Sequence, residues 1–310
     1  MRVLVTGATG FVGGRLVPAL LAAGHEVVAL VRDASRYDAP EGVVVKEGDV
    51  LELGSFEHAL EGVEAAYYLI HSMGSGREFA ERDRRGARHF ARAASEAGIE
   101  RAFYLGGLGD DRDQLSKHLK SRREVEHILA AGDYDLTTLR AAIIIGDGSA
   151  SFQVVRQLAQ RLPLMLTPTW VETECQPIAI DDVVAYLVGA LSVPETAGDT
   201  FEIGGPEVLT YREILEETAR ISGGYRPVIV GVPVLTPRIS SYWIGLVTDV
   251  SASVARPLID GLRNPVVVTD HRIEDLVPLA LTPFETAVRR ALGEESSPDA
   301  DERVEQEETA

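Results

Sequence analysis

The chain has 310 residues, 45% of them hydrophobic, enough for one large α/β domain or a nucleotide domain with a smaller second lobe. Its 48 acidic residues outnumber 30 basic ones, and the resulting net charge of −18 argues against general affinity for nucleic acid or an anionic membrane. No apolar run reaches the roughly 18 residues a membrane span needs, and the single cysteine, Cys175, excludes an internal disulfide framework.

Only Lys46, Lys117 and Lys120 are lysines; every other basic side chain is arginine. An acidic, lysine-poor composition of this kind points to a halophilic cytoplasmic protein, soluble at high salt where screening tames self-repulsion. Residues 2–6 read as a core strand, not as a signal peptide. The strand Val3-Leu4-Val5 runs into Thr6-Gly7-Ala8-Thr9-Gly10-Phe11-Val12-Gly13, and a helical pattern follows over 11–23. Gly7 lets the chain turn off the strand, Gly10 clears the approach of a pyrophosphate, and Gly13 lets helix and strand pack closely. The free amides of the helix start, with its dipole, then face the anion. Gly7, Thr9, Gly10, Phe11, Val12 and Gly13 are therefore the expected cofactor cradle.

Further strands are expected at 26–31, 43–46, 65–70, 102–106 and 135–140, with helices at 55–61, 78–97 and 116–131 between them. Gly24 and Gly98 stand just past helix ends, where a left-handed residue is wanted. This alternation predicts a Rossmann-type, doubly wound parallel sheet. The second strand ends at Arg32, with Ser35 and Arg36 close behind, so a 2′-phosphate finds a guanidinium there; NADP(H) is favoured over NAD(H). Asp49 and Val50, after the third strand, are expected beside the adenine, although Gly48-Asp49 also suits a plain turn. His71 and Ser72, after the fourth strand, fall at the carboxyl edge where open α/β sheets bind ligands and can face the nicotinamide. Arg140 ends the sixth strand and is a candidate contact to cofactor or substrate.

Beyond residue 146 the pattern loosens into a smaller C-terminal lobe, with helices at 152–161, Asp181–Leu191, Tyr211–Ile221 and 283–292 and short strands at Thr200–Ile203 and 228–232. Asp181 or Asp182 is the expected N-cap of the second of these helices. The expected organisation is a dinucleotide domain over 1–150, a substrate lobe over 151–292 interleaved with the same fold, and an acidic, disordered tail over 293–310. Tyr242 and Trp243 are candidates for a substrate-pocket wall, a membrane-facing patch or an oligomer contact. Seven scattered histidines and one cysteine show no zinc spacing, so no metal site is expected; no Gly-x-Ser-x-Gly elbow suggests a hydrolase.

Together these pieces resemble the extended and atypical branches of the short-chain dehydrogenase/reductase superfamily. The likeness rests on the glycine turn, on Gly48-Asp49-Val50, on Arg122…Glu126…Leu129…Thr138-Leu139-Arg140, and on Gln176-Pro177-Ile178-Ala179-Ile180-Asp181-Asp182-Val183. Within the superfamily it is most similar to NAD(P)H-binding proteins of the NmrA-like and YbjT-like groups, relatives of the nucleotide-binding accessory subunit of complex I. The pieces Tyr104 to Gly109, His118 to Arg122 and Ser240 to Trp243 favour the YbjT-like group.

The resemblance implies a Tyr-x-x-x-Lys pair and a strand-end serine, but the chain has His118 and Arg122 at the pair's positions and Gly106-Gly107 at the strand end. His118 can donate a proton near neutral pH, whereas Arg122 can bind ribose hydroxyls but cannot release a proton. His118 and Arg122 are thus the expected catalytic positions of an NADP(H)-dependent reductase acting on an apolar carbonyl, enone or quinone. The alternatives are an NADP(H) redox sensor or assembly factor that acts on a protein partner without catalysis, and an epimerase or dehydratase on a nucleotide sugar.

Overall fold

The computed structural model describes residues 1–71, 77–109, 117–167, 169–231 and 264–294. Ser72, Tyr242, Trp243 and the tail from 295 onward lie outside them, as does the side chain of His118. Chain order runs β1 (Arg2–Thr6), α1 (Gly13–Ala22), β2 (Glu26–Val31), β3 (Val44–Glu47), β4 (Ala65–Tyr68), α2 (Arg77–Ala97), β5 (Arg101–Gly107), α3 (Lys117–Leu129) and β6 (Asp135–Ala141). It continues with β7 (Ile144–Ile145), α4 (Ala150–Arg161), β8 (Leu164–Thr167), β9 (Glu174–Cys175), β10 (Ile178–Ala179), α5 (Ile180–Ser192) and β11 (Thr200–Ile203). The remaining elements are β12 (Leu209–Thr210), α6 (Tyr211–Gly223), β13 (Val228–Gly231), α7 (Arg272–Leu276) and α8 (Phe284–Ala291).

Seven strands form one sheet in the order β11-β6-β5-β4-β1-β2-β3, every pairing parallel. Strands buried on both faces read as continuous apolar runs, as β1 and β2 do. The strand order reverses beside β1, which lies between β2 and β4 and so opens a crevice at the carboxyl edge. Leu4, Val28, Phe56, Ala66, Tyr68 and Phe90 are fully or almost fully buried in one core cluster. Burial of each large side chain contributes about 1.5–3 kcal/mol.

The chain divides into two compact units. The first comprises Met1–Ala141, Val184–Ile203 and Val268–Leu279, and the second comprises Ala142–Val183, Gly204–Val267 and Ala280–Ala310. Within the second, β7 pairs with β10, β8 with β13 and β9 with β12, and Gln176 donates 2.7 Å to the Gly205 carbonyl. Thr210 and Glu213 close a capping box on α6, which ends in left-handed Gly224.

Several expected boundaries shift. The helix expected over 55–61 is a 3-10 turn, Glu57–Leu60. The helix expected from 11 begins at Gly13, because residues 7–12 are consumed by the turn. α5 begins at Ile180, so neither Asp181 nor Asp182 is its N-cap. Instead the Asp182 carboxylate accepts from the Thr282 amide and hydroxyl, both at 2.8 Å. Gly24 and Gly98 do adopt positive φ, 83° and 69°.

Candidate functional site

The glycine turn of the first unit is a bare backbone cradle. Gly7 has φ 71°, and a Cβ on it would sit 3.0 Å from the Leu69 carbonyl oxygen. A Cβ on Gly13 would lie 2.2 Å from the Gly7 carbonyl oxygen, so only glycine allows α1 to start this close to the turn. Val12 caps α1 with no side-chain bond, and the amides of Phe11, Val12 and Gly13 donate to no group among the described residues. Thr9 and Gly10 are exposed on the same turn. Undonated amides on a helix N-terminus fit a diphosphate, so these residues would hold that part of a dinucleotide.

At the far end of the crevice Arg32 is exposed and makes no ion pair with the described residues. Asp33 next to it is turned away into local structure: its Oδ1 accepts from the Ser35 amide at 3.1 Å and the Ser35 hydroxyl at 2.6 Å. Asp49 likewise caps its own turn, accepting from the Leu51 amide at 2.9 Å. The Val50 side chain is 2% exposed and belongs to the core, and its carbonyl faces Nδ1 of His89 at 2.8 Å.

The other end is built by β4, β5, β6, α2 and α3. Gly107 ends β5, and a Cβ there would meet Leu119 Cδ2 at 2.7 Å and Arg122 Cδ at 3.3 Å. Arg122 donates from Nη1 to the Leu105 carbonyl at 3.1 Å, and Tyr104 Oη donates to the Arg122 carbonyl at 3.3 Å. Burial pushes the Tyr104 phenol up to about 12, so it stays protonated. Arg140 engages Glu126 through Nη2 at 2.5 Å and Nε at 3.2 Å. Glu126 also meets Arg123 at 3.2 Å, and Arg123 donates to the Gly109 carbonyl at 2.6 Å. Of the expected site residues, His71, Arg122 and Arg140 thus share the edge formed by β4, β5 and β6.

His71 lies on that edge with its side chain 17% exposed, its Nδ1 3.6 Å from Oδ2 of Asp83, whose side chain is 4% exposed. Burial and the charge of Arg122 pull the imidazole down to about 4, against the opposing pull of Asp83. Asp83, Arg123 and Glu126 were not among the expected site residues. A signal for Asp83 was present: it stands in the stripe Phe79-Asp83-Ala87-Phe90-Ala94, an acid on an otherwise apolar helix face. Glu126 stands beside Val125 and Leu129 in the same way.

Cys175, in the second unit, is buried, and its thiol is pushed up to about 11 by burial, which suits a structural residue. Among the described residues no cluster of three metal-binding side chains is found, and no helix is long and apolar enough to cross a membrane.

A family model described as NAD(P)H-binding matches residues 7–163. A 3-diazoavenalumate denitrifying reductase of Streptomyces sp is 32% identical over 63% of this chain and 74% of its own length. The alpha subcomplex subunit 9 of mitochondrial NADH dehydrogenase from Arabidopsis thaliana is 29% identical over 68% of this chain, which spans 56% of that subunit. Two solved structures have the same fold. A nucleoside-diphosphate-sugar epimerase of Staphylococcus aureus superposes with TM-score 0.74 at 16% identity, covering 93% of this chain and all of that one. A triphenylmethane reductase of Citrobacter sp. complexed with NADP(H) gives 0.73 at 19% identity, covering 94% of this chain and all of that one.

Proposed function

This chain belongs to the NAD(P)H-binding family, and from that premise we propose that it is an NADP(H)-dependent reductase of apolar carbonyls, enones or quinones. The observation that carries the reading is the pairing of a bare amide cradle at Gly7–Gly13 with a half-buried edge bearing His71, Arg122 and Arg140 in one unit. When bound, the nicotinamide supplies hydride. The cradle would hold the diphosphate through the amides of Phe11, Val12 and Gly13. Arg32 would take the 2′-phosphate, since Asp33 is committed to Ser35 and offers the ribose little. Arg122, anchored on Leu105, would bind ribose hydroxyls where the family's reductases use lysine. A histidine would supply the proton in place of the family's tyrosine. The reductase among the relatives supports this class.

Leu119 and Arg122 fill the space a strand-end serine would need, so side-chain hydroxyls do not orient the acceptor from β5. That same feature favours a second reading, in which the chain binds NADP(H) and reports its redox state to a protein partner; the complex I subunit among the relatives is in keeping with it. Incubation with NADPH and a panel of quinones and enones separates the two. Turnover of at least one acceptor is expected. NADPH and NADP⁺ bound with different affinities and no turnover anywhere would remove the reductase and leave the sensor.

A further inference from the structure

Building on the reductase reading above, we propose that His71 is the catalytic acid that protonates the acceptor oxygen, and that Asp83 is the positioning residue that holds its ring.

The first support is placement. Thr6 Oγ1 donates to the Tyr67 carbonyl at 3.0 Å and accepts from the Leu69 amide at 3.2 Å, so the exit of β4 is tied to the end of β1. The Leu69 carbonyl in turn abuts Gly7. His71, two residues further on, is therefore fixed at the carboxyl edge next to the cradle. The second support is the hold on the ring. α2 presents Phe79 and Asp83 one turn apart: the Phe79 ring meets the imidazole edge-on at 5.7 Å, and Asp83 faces Nδ1 at 3.6 Å. That separation exceeds a hydrogen bond, but acid–base contacts are often long without substrate and tighten in the complex. The third support is cost. A carboxylate 5% exposed on an apolar helix stripe is expensive to bury. Among the described residues, Arg122 of α3 is the charged group that faces His71 alongside Asp83, and Tyr68 and Tyr104 of the sheet lie near Asp83.

The step balances as follows. Hydride from NADPH, the reductant, joins the acceptor carbon while the carbonyl π pair moves onto oxygen. That oxygen takes the proton from Nε2 of the His71 imidazolium. The imidazole is left neutral, with Nδ1–H toward Asp83; Nε2 is buried in the free protein, so it is recharged from solvent only as acceptor and product exchange at the edge. Because burial disfavours the imidazolium in the free protein, the protonated fraction limits the rate above pH about 4.

The test uses the full-length protein with His71→Asn, Asp83→Asn and Asp83→Glu. Histidine titration by NMR without cofactor is expected to place His71 well below an ordinary imidazole, and Asp83→Asn to lower it further. With any acceptor that turns over, His71→Asn should lose about 100-fold or more in kcat/KM, within the usual range for general acid catalysis, and Asp83→Asn about 10-fold. Asp83→Glu should recover part of the latter. NADPH affinity by fluorescence should stay within about 3-fold in each, since transition-state contacts are separable from cofactor binding. The wild-type log(kcat/KM) should fall by about one per pH unit between pH 5 and 8. A plateau below pH ~6.5, the ordinary imidazole value, with a full loss on His118→Asn and none on His71→Asn, overturns the assignment. So does a His71 titration unmoved by Asp83→Asn. If the wild type turns over nothing, the reductase reading itself has failed.

Discussion

Burial sets the protonation of His71 before any ligand arrives, and that has a consequence for stability. Its folded pKa, about 4, lies below the unfolded value of about 6.5. Above pH 6.5 both states are neutral and the group is without effect. As pH falls from about 6.5 toward 4 the unfolded chain takes up a proton that the folded one refuses, so stability is lost across that window. The full difference amounts to roughly 3 kcal/mol by linkage. His71→Asn should therefore flatten the acid side of the stability curve measured by urea unfolding at pH 7, 6, 5 and 4; identical pH dependence in variant and wild type would contradict the burial. Single residues of the cradle were legible in the sequence because the glycine spacing has a steric cause, visible again as the 2.2 Å approach at Gly13. Asp83 was not read as a site residue, since its meaning depends on a loop residue from β4 brought against it by the fold.

Among the elements, β5, β6 and α3 are joined by charge as well as by apolar packing. Glu126, its side chain 8% exposed, lies between Arg140 and Arg123, and the latter holds the Gly109 carbonyl where β5 gives way to the start of α3. Neutralising a buried anion between two cations removes the countercharge they share. Glu126→Gln is expected to cost about 3–5 kcal/mol, read as a lowered urea midpoint at unchanged slope. A loss below about 1 kcal/mol would show that solvent already screens the group. The strands and helices of the first 141 residues were readable because each carries a period long enough to count. The exception, Glu57–Leu60, is a single turn whose buried Ala59 and Leu60 imitate a helix face. Past residue 141 the longer elements α4, α5, α6, α8, β11 and β13 stand within two residues of their expected bounds, and it is the shortest strands that go unread. β7, β9, β10 and β12 have two residues each, and their partners are distant in sequence, so no local pattern specifies them.

At the scale of the molecule, the sheet draws its last strand, β11, from beyond residue 150, pairing Thr200–Ile203 with Thr138–Ala141. The first unit therefore gathers three separate stretches of chain. Charge is distributed unevenly. The net is −18, yet Lys120, Arg122 and Arg123 fall together in the first half of α3. Many other arginines are held in ion pairs, among them Arg84–Glu124 and Arg272–Asp199, both at 2.6 Å. Arg32 is exposed and has no ion pair with the described residues, which is what a site for an incoming phosphate requires. The reading as a whole stands on a dinucleotide held between that arginine and the glycine cradle. Its most direct test is a fluorescence titration of the wild type and Arg32→Ala with NADPH and NADH. The wild type should bind NADPH at least about 10-fold more tightly, as a charge-assisted phosphate contact of about 1.5–3 kcal/mol implies, and Arg32→Ala should bind the two alike. A wild type that binds NADH as tightly as NADPH, or an Arg32→Ala that keeps the preference, would contradict it.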